Sequence, residues 1–243
     1  MRIRFALLFC WLLGMEIVST SIQAAPLKVG FYNFPPFMSI DSQIGIYHDI
    51  FESISRDTGY IFEIECFPSA RVKMNFESNL IDIEPGVNPT WRKGSKVPGQ
   101  YTIPFAKAVD VVLFRPGQHI PVDGPENLKG REVGAIRGYI YPGFTDSFTK
   151  NEIIRVDLID EPKLLKFLVA GRVDQIFINK SVAQYWILKN ESYRNYVIGD
   201  VIGDVDVMMR VHPSKKQEIE RLNKAIKNLS TSGEIEKIFG KYH

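Results

Sequence analysis

Arg92 is a residue whose type and surroundings could bind an anion. It lies in the stretch GVNPTWRKGSKVPGQYTIPF, residues 86–105, just after an Asn-Pro turn. A guanidinium binds a carboxylate through two parallel hydrogen bonds, so an inward-pointing Arg92 predicts a ligand with a carboxylate. Lys93 and Lys96 add positive charge to the same loop, which is also typical of a solvated surface segment. The residues alone leave both interpretations open.

Patterns typical of catalysis or metal binding do not occur in the chain. Four histidines are present: His48, His119, His212 and His243. They have no metal-ligand spacing, and no nucleophile-elbow motif is found. Cys66 lies in an alternating, strand-like run and is expected to be a small buried residue rather than a nucleophile. We therefore predict a binding protein rather than an enzyme, with no metal or other cofactor.

Composition is ordinary for a soluble globular protein. Of the 243 residues, 45% are apolar and 24% are charged, and the formal net charge is +2. Such a balance gives no reason to expect a nucleic-acid partner. The length is sufficient for one large domain or for two lobes.

The N-terminus is typical of a secretory signal peptide, residues 1–24. Arg2 and Arg4 precede the apolar run FALLFCWLLG, residues 5–14, and cleavage is expected after Ala24. The apolar run is too short to span a bilayer. We expect the mature protein to be exported to the periplasm.

Strands and helices alternate along the rest of the chain, which predicts an α/β fold with parallel sheets. Ile46, Ile50 and Ile54 recur at helical spacing, and Gly59 follows where that helix would end. The predicted strands are 27–32, 61–67, 81–86, 109–117, 131–138, 153–159, 173–179 and 205–211. The predicted helices are 46–60, 69–80 (capped by Ser69), 161–172, 181–190, 215–229 and 234–242.

One short pattern occurs twice. NLIDIEPG (79–86) and GRVDQIFIN (171–179) each combine a helix end, an apolar-Asp step and a strand. Chance is one explanation, because the pattern is short. The other is two similar lobes that present their strand ends to a shared cleft, where ligands of open α/β sheets bind.

Residues 26–243 contain a series of segments that resembles one protein family throughout. The segments are LKVGFYNFPPF, GIYHDIFESISRDTGY, NLIDIEPGVNP, YTIPF, PENLKGREVGAIRGY, AGRVDQIFINKSVAQY and SGEIEKIFGKY. In this order they resemble the bacterial extracellular solute-binding proteins of family 3, the amino-acid-binding class that supplies ABC importers.

The resemblance implies an α/β, two-lobed periplasmic-binding-protein fold of type II with two hinge strands, VVLFRPG (111–117) and VDVMMRV (205–211). The expected division places residues 25–112 and 207–243 in lobe 1 and residues 113–206 in lobe 2. Closure of the lobes would bury the ligand between them.

The implied function is capture of a small polar solute, amino-acid-like or related, by a monomer in the periplasm. An ABC permease in the inner membrane would be the partner. The alternatives are a periplasmic sensory binding protein and an enzyme of hydro-lyase type on the same scaffold.

In this family an aromatic ring in the first turn stacks on the ligand, and Phe34 has that position here. The alternative role for Phe34 is packing against the neighbouring core. Gly86 and Asn88 match the loop that holds the ligand carboxylate with backbone N–H and side-chain groups. Arg92 is the nearest match to the arginine that clamps the same carboxylate.

The second lobe departs from the family pattern at Asn179, which replaces an aspartate that pairs with the ligand ammonium. An amide cannot supply that negative charge. Glu84, Asp204 and Asp206 lie near predicted strand ends and could replace it. If Glu84 and Asp206 dominate, a cationic or polyamine-like ligand fits better than a carboxylate.

The loop RGYIYPGF, residues 137–144, departs from the family as well. Small hydroxyl residues are usual there, whereas Arg137, Tyr139 and Tyr141 bring large groups, with Gly138 between the first two. The aromatic rings could stack on a ligand, hold a cation, or fill the cleft.

Overall fold

The computed structural model describes residues 25–39 and 44–242, and the predicted signal peptide lies outside them. The strands are β1 (Leu27–Phe31), β2 (Phe62–Cys66), β3 (Ile83–Val87), β4 (Gln100–Tyr101), β5 (Ala106–Phe114), β6 (Glu132–Ile136), β7 (Ile154–Leu158), β8 (Gln175–Asn179) and β9 (Val197–Val211). The helices are α1 (Ile46–Thr58), α2 (Ser69–Glu77), α3 (Thr145–Thr149), α4 (Glu161–Val169), α5 (Lys180–Lys189), α6 (Ile219–Thr231) and α7 (Glu234–Gly240).

The strands form one sheet in the order β2-β1-β3-β9-β5-β8-β6-β7, and β4 also pairs with β9. β2, β1 and β3 are parallel to one another, as are β8, β6 and β7. The strands β9 and β5 join these two parallel groups through antiparallel pairing. The predicted α/β, two-lobed arrangement is therefore confirmed, with parallel sheet in each lobe and antiparallel sheet between them.

The first lobe packs α1, α6 and α7 together beside β1–β3. Ile46, Ile50 and Ile54 of α1 are all buried, as their four-residue spacing predicts. Gly59 follows α1 in the left-handed conformation at φ 73°, and its N–H donates to the carbonyl of Ser55. A residue with a Cβ is strained in this conformation, so glycine ends the helix there.

The second lobe is built around Phe177 on β8, which is fully buried. The rings of Tyr141, Phe144 and Phe148 meet it edge-on at centroid distances of 5.0, 4.9 and 5.9 Å. Edge-to-face contacts of this kind add to the burial energy of aromatic side chains. The segment after β6 thus packs against the second-lobe core through its aromatic side chains.

The connection between lobes is longer than the predicted hinge strands. β5 and β9 pair from Ala106↔Val207 to Phe114↔Val197, with two register shifts between Asp110 and Leu113. The shifts are bulge-like irregularities, which bend and twist paired strands locally.

Three local expectations differ from the structure. Cys66 is exposed rather than buried, because it ends β2 at the edge of the sheet. Ser69 is the first residue of α2, and the capping position belongs to Pro68 without a side-chain hydrogen bond. The short helix α3 has no counterpart in the sequence prediction. Within the described residues, no helix combines the length and apolar character needed to cross a membrane.

We expect Phe177→Ala to lower the free energy of unfolding by about 3–5 kcal/mol, because it leaves a cavity among three aromatic rings. Urea denaturation followed by circular dichroism measures this change. Leu188→Ala is the control, since Leu188 is 66% exposed and its loss should cost less than about 0.5 kcal/mol. Equal losses in the two variants would contradict the assignment of Phe177 to the core.

Candidate functional site

The two-lobed arrangement predicts a cleft between the carboxyl ends of the parallel strands of the two lobes. Tyr32 follows β1 of the first lobe, and Tyr139 follows β6 of the second. Burial raises the pKa of Tyr139, and the neighbouring Tyr32 adds to the increase. Burial likewise raises the pKa of Tyr32, with a further increase from Glu161 of the second lobe. Groups that follow the strands of one lobe thus influence the pKa of a tyrosine in the other lobe.

Glu84 on β3 lies between two arginines. Its Oε2 accepts hydrogen bonds from Arg92 Nε at 3.2 Å and from Arg210 Nη1 at 2.8 Å, and its Oε1 accepts one from Arg92 Nη2. Glu84 is 3% exposed and Arg210 is 0% exposed. Buried charges are stable only when they are paired and hydrogen-bonded, and this cluster meets that condition.

Arg210 forms further contacts with the loop after Arg92 and with an aromatic ring. Its Nε donates to the carbonyl of Pro98 at 3.1 Å, and its Nη2 donates to the carbonyl of Val97. The guanidinium carbon lies 3.9 Å from the centroid of the Phe76 ring, a cation–π contact. The loop after Arg92 thus wraps around Arg210 and hydrogen-bonds to it.

Arg92 reaches the cleft side of this cluster, with 22% of its side chain exposed. Burial works to lower the pKa of Arg92, but the hydrogen bond and charge of Glu84 outweigh it and raise that pKa. Its third nitrogen, Nη1, donates to the carbonyl of Trp91 at 3.2 Å. All three guanidinium nitrogens therefore already donate to the protein.

Asn88 fixes the loop that carries Arg92. Its Oδ1 accepts hydrogen bonds from the N–H of Thr90 at 2.9 Å and from the Thr90 hydroxyl at 2.7 Å. Its Nδ2 donates to the carbonyl of Asp206 on β9 at 2.8 Å. The side chain thus caps a 3₁₀ turn and attaches it to the hinge strand.

Gly86 is required by the backbone. It has φ 71°, and a Cβ at this position would lie 2.4 Å from the ring of Tyr47. Both the left-handed conformation and the close ring exclude a side chain. The conformation of Gly86 is therefore explained by packing, and its role in ligand binding stays a prediction.

Phe34 belongs to a row of stacked rings. Its centroid lies 5.8 Å from that of Tyr32 and 5.3 Å from that of Phe37. Phe37 and Tyr47 continue the row into the first-lobe core. The partly exposed ring of Phe34 thus joins the core to the cleft residue Tyr32.

Arg155 on β7 holds the loop that follows β6. Its Nη2 donates to the carbonyls of Ile136 and Tyr139, both at 3.0 Å, and its Nε donates to Asp157 at 2.8 Å. Its guanidinium also lies against the rings of Tyr141 and Phe148. One side chain therefore fixes the backbone on both sides of the Arg137-Gly138 step.

This fixed loop presents the predicted residues Arg137, Gly138 and Tyr139. Gly138 has φ 82°, a left-handed conformation that favours glycine. Arg137 is exposed, with no ion pair to a described residue. Tyr139 is 44% exposed, and burial of the rest of the residue raises its pKa.

Two carboxylates of the second-lobe side lie near these tyrosines. Burial raises the pKa of Asp110 on β5 to about 6. Burial also raises the pKa of Glu161 at the start of α4, and the charges of Asp160 and Asp110 add to the increase. Neither Asp110 nor Glu161 forms an ion pair with a cation of the described residues. The carboxylates beside these tyrosines thus have no counter-ion within residues 25–39 and 44–242.

Asn179 lies directly opposite Asp110 in the pairing of β5 with β8. Opposite residues of an antiparallel pair project from the same face of a sheet. The Oδ1 of Asn179 accepts hydrogen bonds from the N–H groups of Ser181 and Val182 and so caps α5. Asn179 therefore has a structural role at the start of a helix, beside a carboxylate that the sequence analysis did not select.

Asp206 lies on the outer part of the β5–β9 ribbon. Its carboxylate and that of Asp204 pair with Lys107 at 3.5 and 2.6 Å, and all three side chains are about half exposed. The structure brings Glu84 and Arg92 into contact but leaves the Asp206 carboxylate in a surface ion cluster.

Sequence reasoning missed Tyr32, Asp110, Glu161 and Arg210. Asp110 had a visible signal, because it is the single charge within the run AVDVVLF. Arg210 had a similar one in VMMRV. A charge inside an apolar strand is costly unless it has a partner. Arg210 has its partner in Glu84, whereas Asp110 forms no ion pair with a described residue.

A separate cavity of about 420 Å³ lies between the loop after β1 and the C-terminal half of α5. Pro35, Pro36, Ile44, Tyr185 and Leu188 are among its lining residues. None of the predicted site residues contributes to it, so the chemistry of the cleft is located elsewhere.

Comparison with known proteins identifies the family of the chain. The model of the bacterial extracellular solute-binding proteins, family 3, matches residues 27–243. A search of curated protein sequences found no match.

Among solved structures, the GluR0 ligand-binding core in complex with L-glutamate has a TM-score of 0.76 and 17% identity, over 90% of this chain and 98% of that one. An ancestral arginine-binding protein bound to arginine has a TM-score of 0.71 and 20% identity, over 90% and 99%. A histidine kinase sensor domain with similarity to periplasmic binding proteins has a TM-score of 0.73 and 19% identity, over 90% and 96%. At identities of 17–20%, the similarity to these structures shows a shared fold and nothing finer. Together with the match over residues 27–243, it establishes that the chain belongs to the bacterial extracellular solute-binding proteins of family 3.

Proposed function

We propose that this protein captures a small polar solute in the cleft between its lobes, in the periplasm, and delivers it to an ABC permease. The observation that supports this proposal is a pair of carboxylates that form no ion pair with a cation of the described residues and that influence tyrosines of both lobes. Asp110 and Glu161 lie there beside Tyr32 and Tyr139. Such a site fits a ligand with a cationic or hydrogen-bond-donating group at the second-lobe end.

The tyrosines add a second kind of contact. A cation near an aromatic face is attracted by the ring, and a phenol also offers a hydrogen-bond donor and acceptor. Tyr32 from the first lobe and Tyr139 from the second would both touch a bound solute only when the lobes are close. Ligand binding would therefore favour the closed state.

We further propose that closure bends the chain at its two crossings between lobes, near residues 112 and 207. The register shifts of the β5–β9 ribbon lie beside the first of these positions. A monomer suffices for this motion. Periplasmic sensing is the alternative role, because a histidine kinase sensor domain shares the fold.

A ligand screen tests the proposed function. The protein starting at Ala25 is heated with amino acids, amines and small carboxylates, one at a time. A ligand at 100 times its Kd should raise the free energy of unfolding by about 2.7 kcal/mol and therefore raise the Tm. The radius of gyration from X-ray scattering should fall with the same compound. Absence of both effects for every compound would contradict solute capture.

The variant Asp110→Asn should change the free energy of unfolding and the ligand affinity in opposite directions. The pKa of Asp110 is about 6 in the folded protein and 3.8 as a reference, so the folded state favours the protonated carboxyl. This contribution to stability is complete below about pH 4 and is lost as the pH rises through 6. At pH 7.5 the ligand-free variant should therefore be more stable than the wild type by about 3 kcal/mol, and at pH 3.5 it should not.

The same variant should bind a cationic ligand at least about tenfold more weakly at pH 7.5, since it lacks the charge. Asp204→Asn is the matched control, because Asp204 is an exposed carboxylate paired with Lys107. Calorimetry and thermal unfolding measure the two effects. A variant that binds as the wild type does would remove Asp110 from the site.

Arg155→Ala should weaken ligand binding about tenfold without contact between Arg155 and the ligand. The loop 137–141 would lose two backbone hydrogen bonds and would have to be ordered by the ligand, which costs free energy. Arg194→Ala is the control, because Arg194 forms an exposed i,i+3 pair with Glu191. Calorimetry measures both affinities. Unchanged binding by Arg155→Ala would show that the loop is ordered without this side chain.

A further inference from the structure

We infer that Glu84 determines the ligand class of the cleft, by occupying the edge of Arg92 that a ligand carboxylate would use. The cleft then selects organic amine or guanidine cations that carry no carboxylate at the first-lobe end. This inference rests on the proposed function and adds the chemistry of the ligand to it.

The geometry of Arg92 carries the first step. A guanidinium binds a carboxylate best through one edge with two parallel N–H donors. The Nε–Nη2 edge of Arg92 already donates to both oxygens of Glu84. Nη1 donates to the carbonyl of Trp91. A ligand carboxylate would have to displace Glu84 to use the Nε–Nη2 edge, and on the remaining Nη1–Nη2 edge Nη1 already donates to the carbonyl of Trp91.

The surroundings of Glu84 carry the second step. Its Oε2 is also bonded to Arg210 Nη1 at 2.8 Å, and both side chains are buried. Arg210 is itself fixed by the carbonyls of Val97 and Pro98. A displaced Glu84 would leave Arg210 with an unpaired buried charge. The free energy lost from that pair would offset the free energy gained from a contact between the ligand and Arg92. Glu84 therefore acts as a permanent internal carboxylate.

The distribution of charge carries the third step. Arg92, Arg210 and Glu84 together have a net charge of about +1. Arg210 is fully buried, so its charge is not accessible to a ligand. On the opposite side, Asp110 and Glu161 have no partner among the cations of the described residues. The exposed Arg137 also has no ion pair among the described residues, so the two carboxylates exceed it by one charge. The unmet demand is therefore for a cation, which the face of a tyrosine ring also attracts.

Matched pairs of compounds test the inference. Agmatine and arginine, putrescine and ornithine, and cadaverine and lysine differ within each pair by one carboxylate. We expect the wild type to bind at least one decarboxylated member at least tenfold more tightly than its amino acid, as measured by calorimetry at pH 7.5.

Glu84→Gln should then reverse or abolish that preference, because the freed edge of Arg92 can bind the carboxylate of the amino acid. Arg210 would lose its partner in this variant, so the double variant Glu84→Gln, Arg210→Met serves as the second test. It removes the buried charge together with its counter-ion. The expected change is at least tenfold in the ratio of amine affinity to amino-acid affinity.

The outcomes separate the two proposals. Wild-type protein that binds amino acids as tightly as the amines would overturn the role of Glu84 and leave solute capture in place. An amine preference that both Glu84 variants retain would also overturn it. Failure of every compound to bind, in calorimetry and in the thermal screen, would overturn solute capture and this inference with it.

Discussion

Glu84 and Arg210 are directly opposite each other in the pairing of β3 with β9, and both side chains are buried. Two buried charges destabilise a fold unless their hydrogen-bonding groups are satisfied. The chain meets this requirement with the carbonyls of Val97 and Pro98 and with the guanidinium of Arg92. The conformation of the loop 88–99 therefore depends on its hydrogen bonds to this one ion pair.

This ion pair also lies at the point where the first lobe meets the hinge. β9 passes from the first lobe to the second, and β5 runs beside it along most of its length. Asn88 attaches the same loop to β9 farther along, through the carbonyl of Asp206. Any motion of the lobes therefore takes place next to a rigid, buried cluster, and the first-lobe wall of the cleft keeps its shape.

The second-lobe wall is organised differently. Arg155 holds the loop after β6 through backbone carbonyls, and aromatic rings around Phe177 fasten the following residues. Here the cation of Arg155 is used for positioning, whereas the carboxylates of Asp110 and Glu161 form no ion pair within the described part of the chain. The two walls thus differ in electrostatic character: one is internally paired, and the other has charge available for a ligand.

The sequence by itself determined the fold of this protein. Alternating strands and helices, the isoleucine spacing of α1 and the order of the family segments predicted a two-lobed α/β chain, because short-range periodicity reflects which face of each element is buried. It also indicated Arg92, Phe34, Glu84 and the loop at 137–139 as candidate residues. Only the tertiary structure decided what these groups contact. Arg210 is 126 residues from Glu84, and a sequence contains no distance between such positions. The charge state of a cleft depends on which long-range pairs form, and that follows from the packing of β3 against β9.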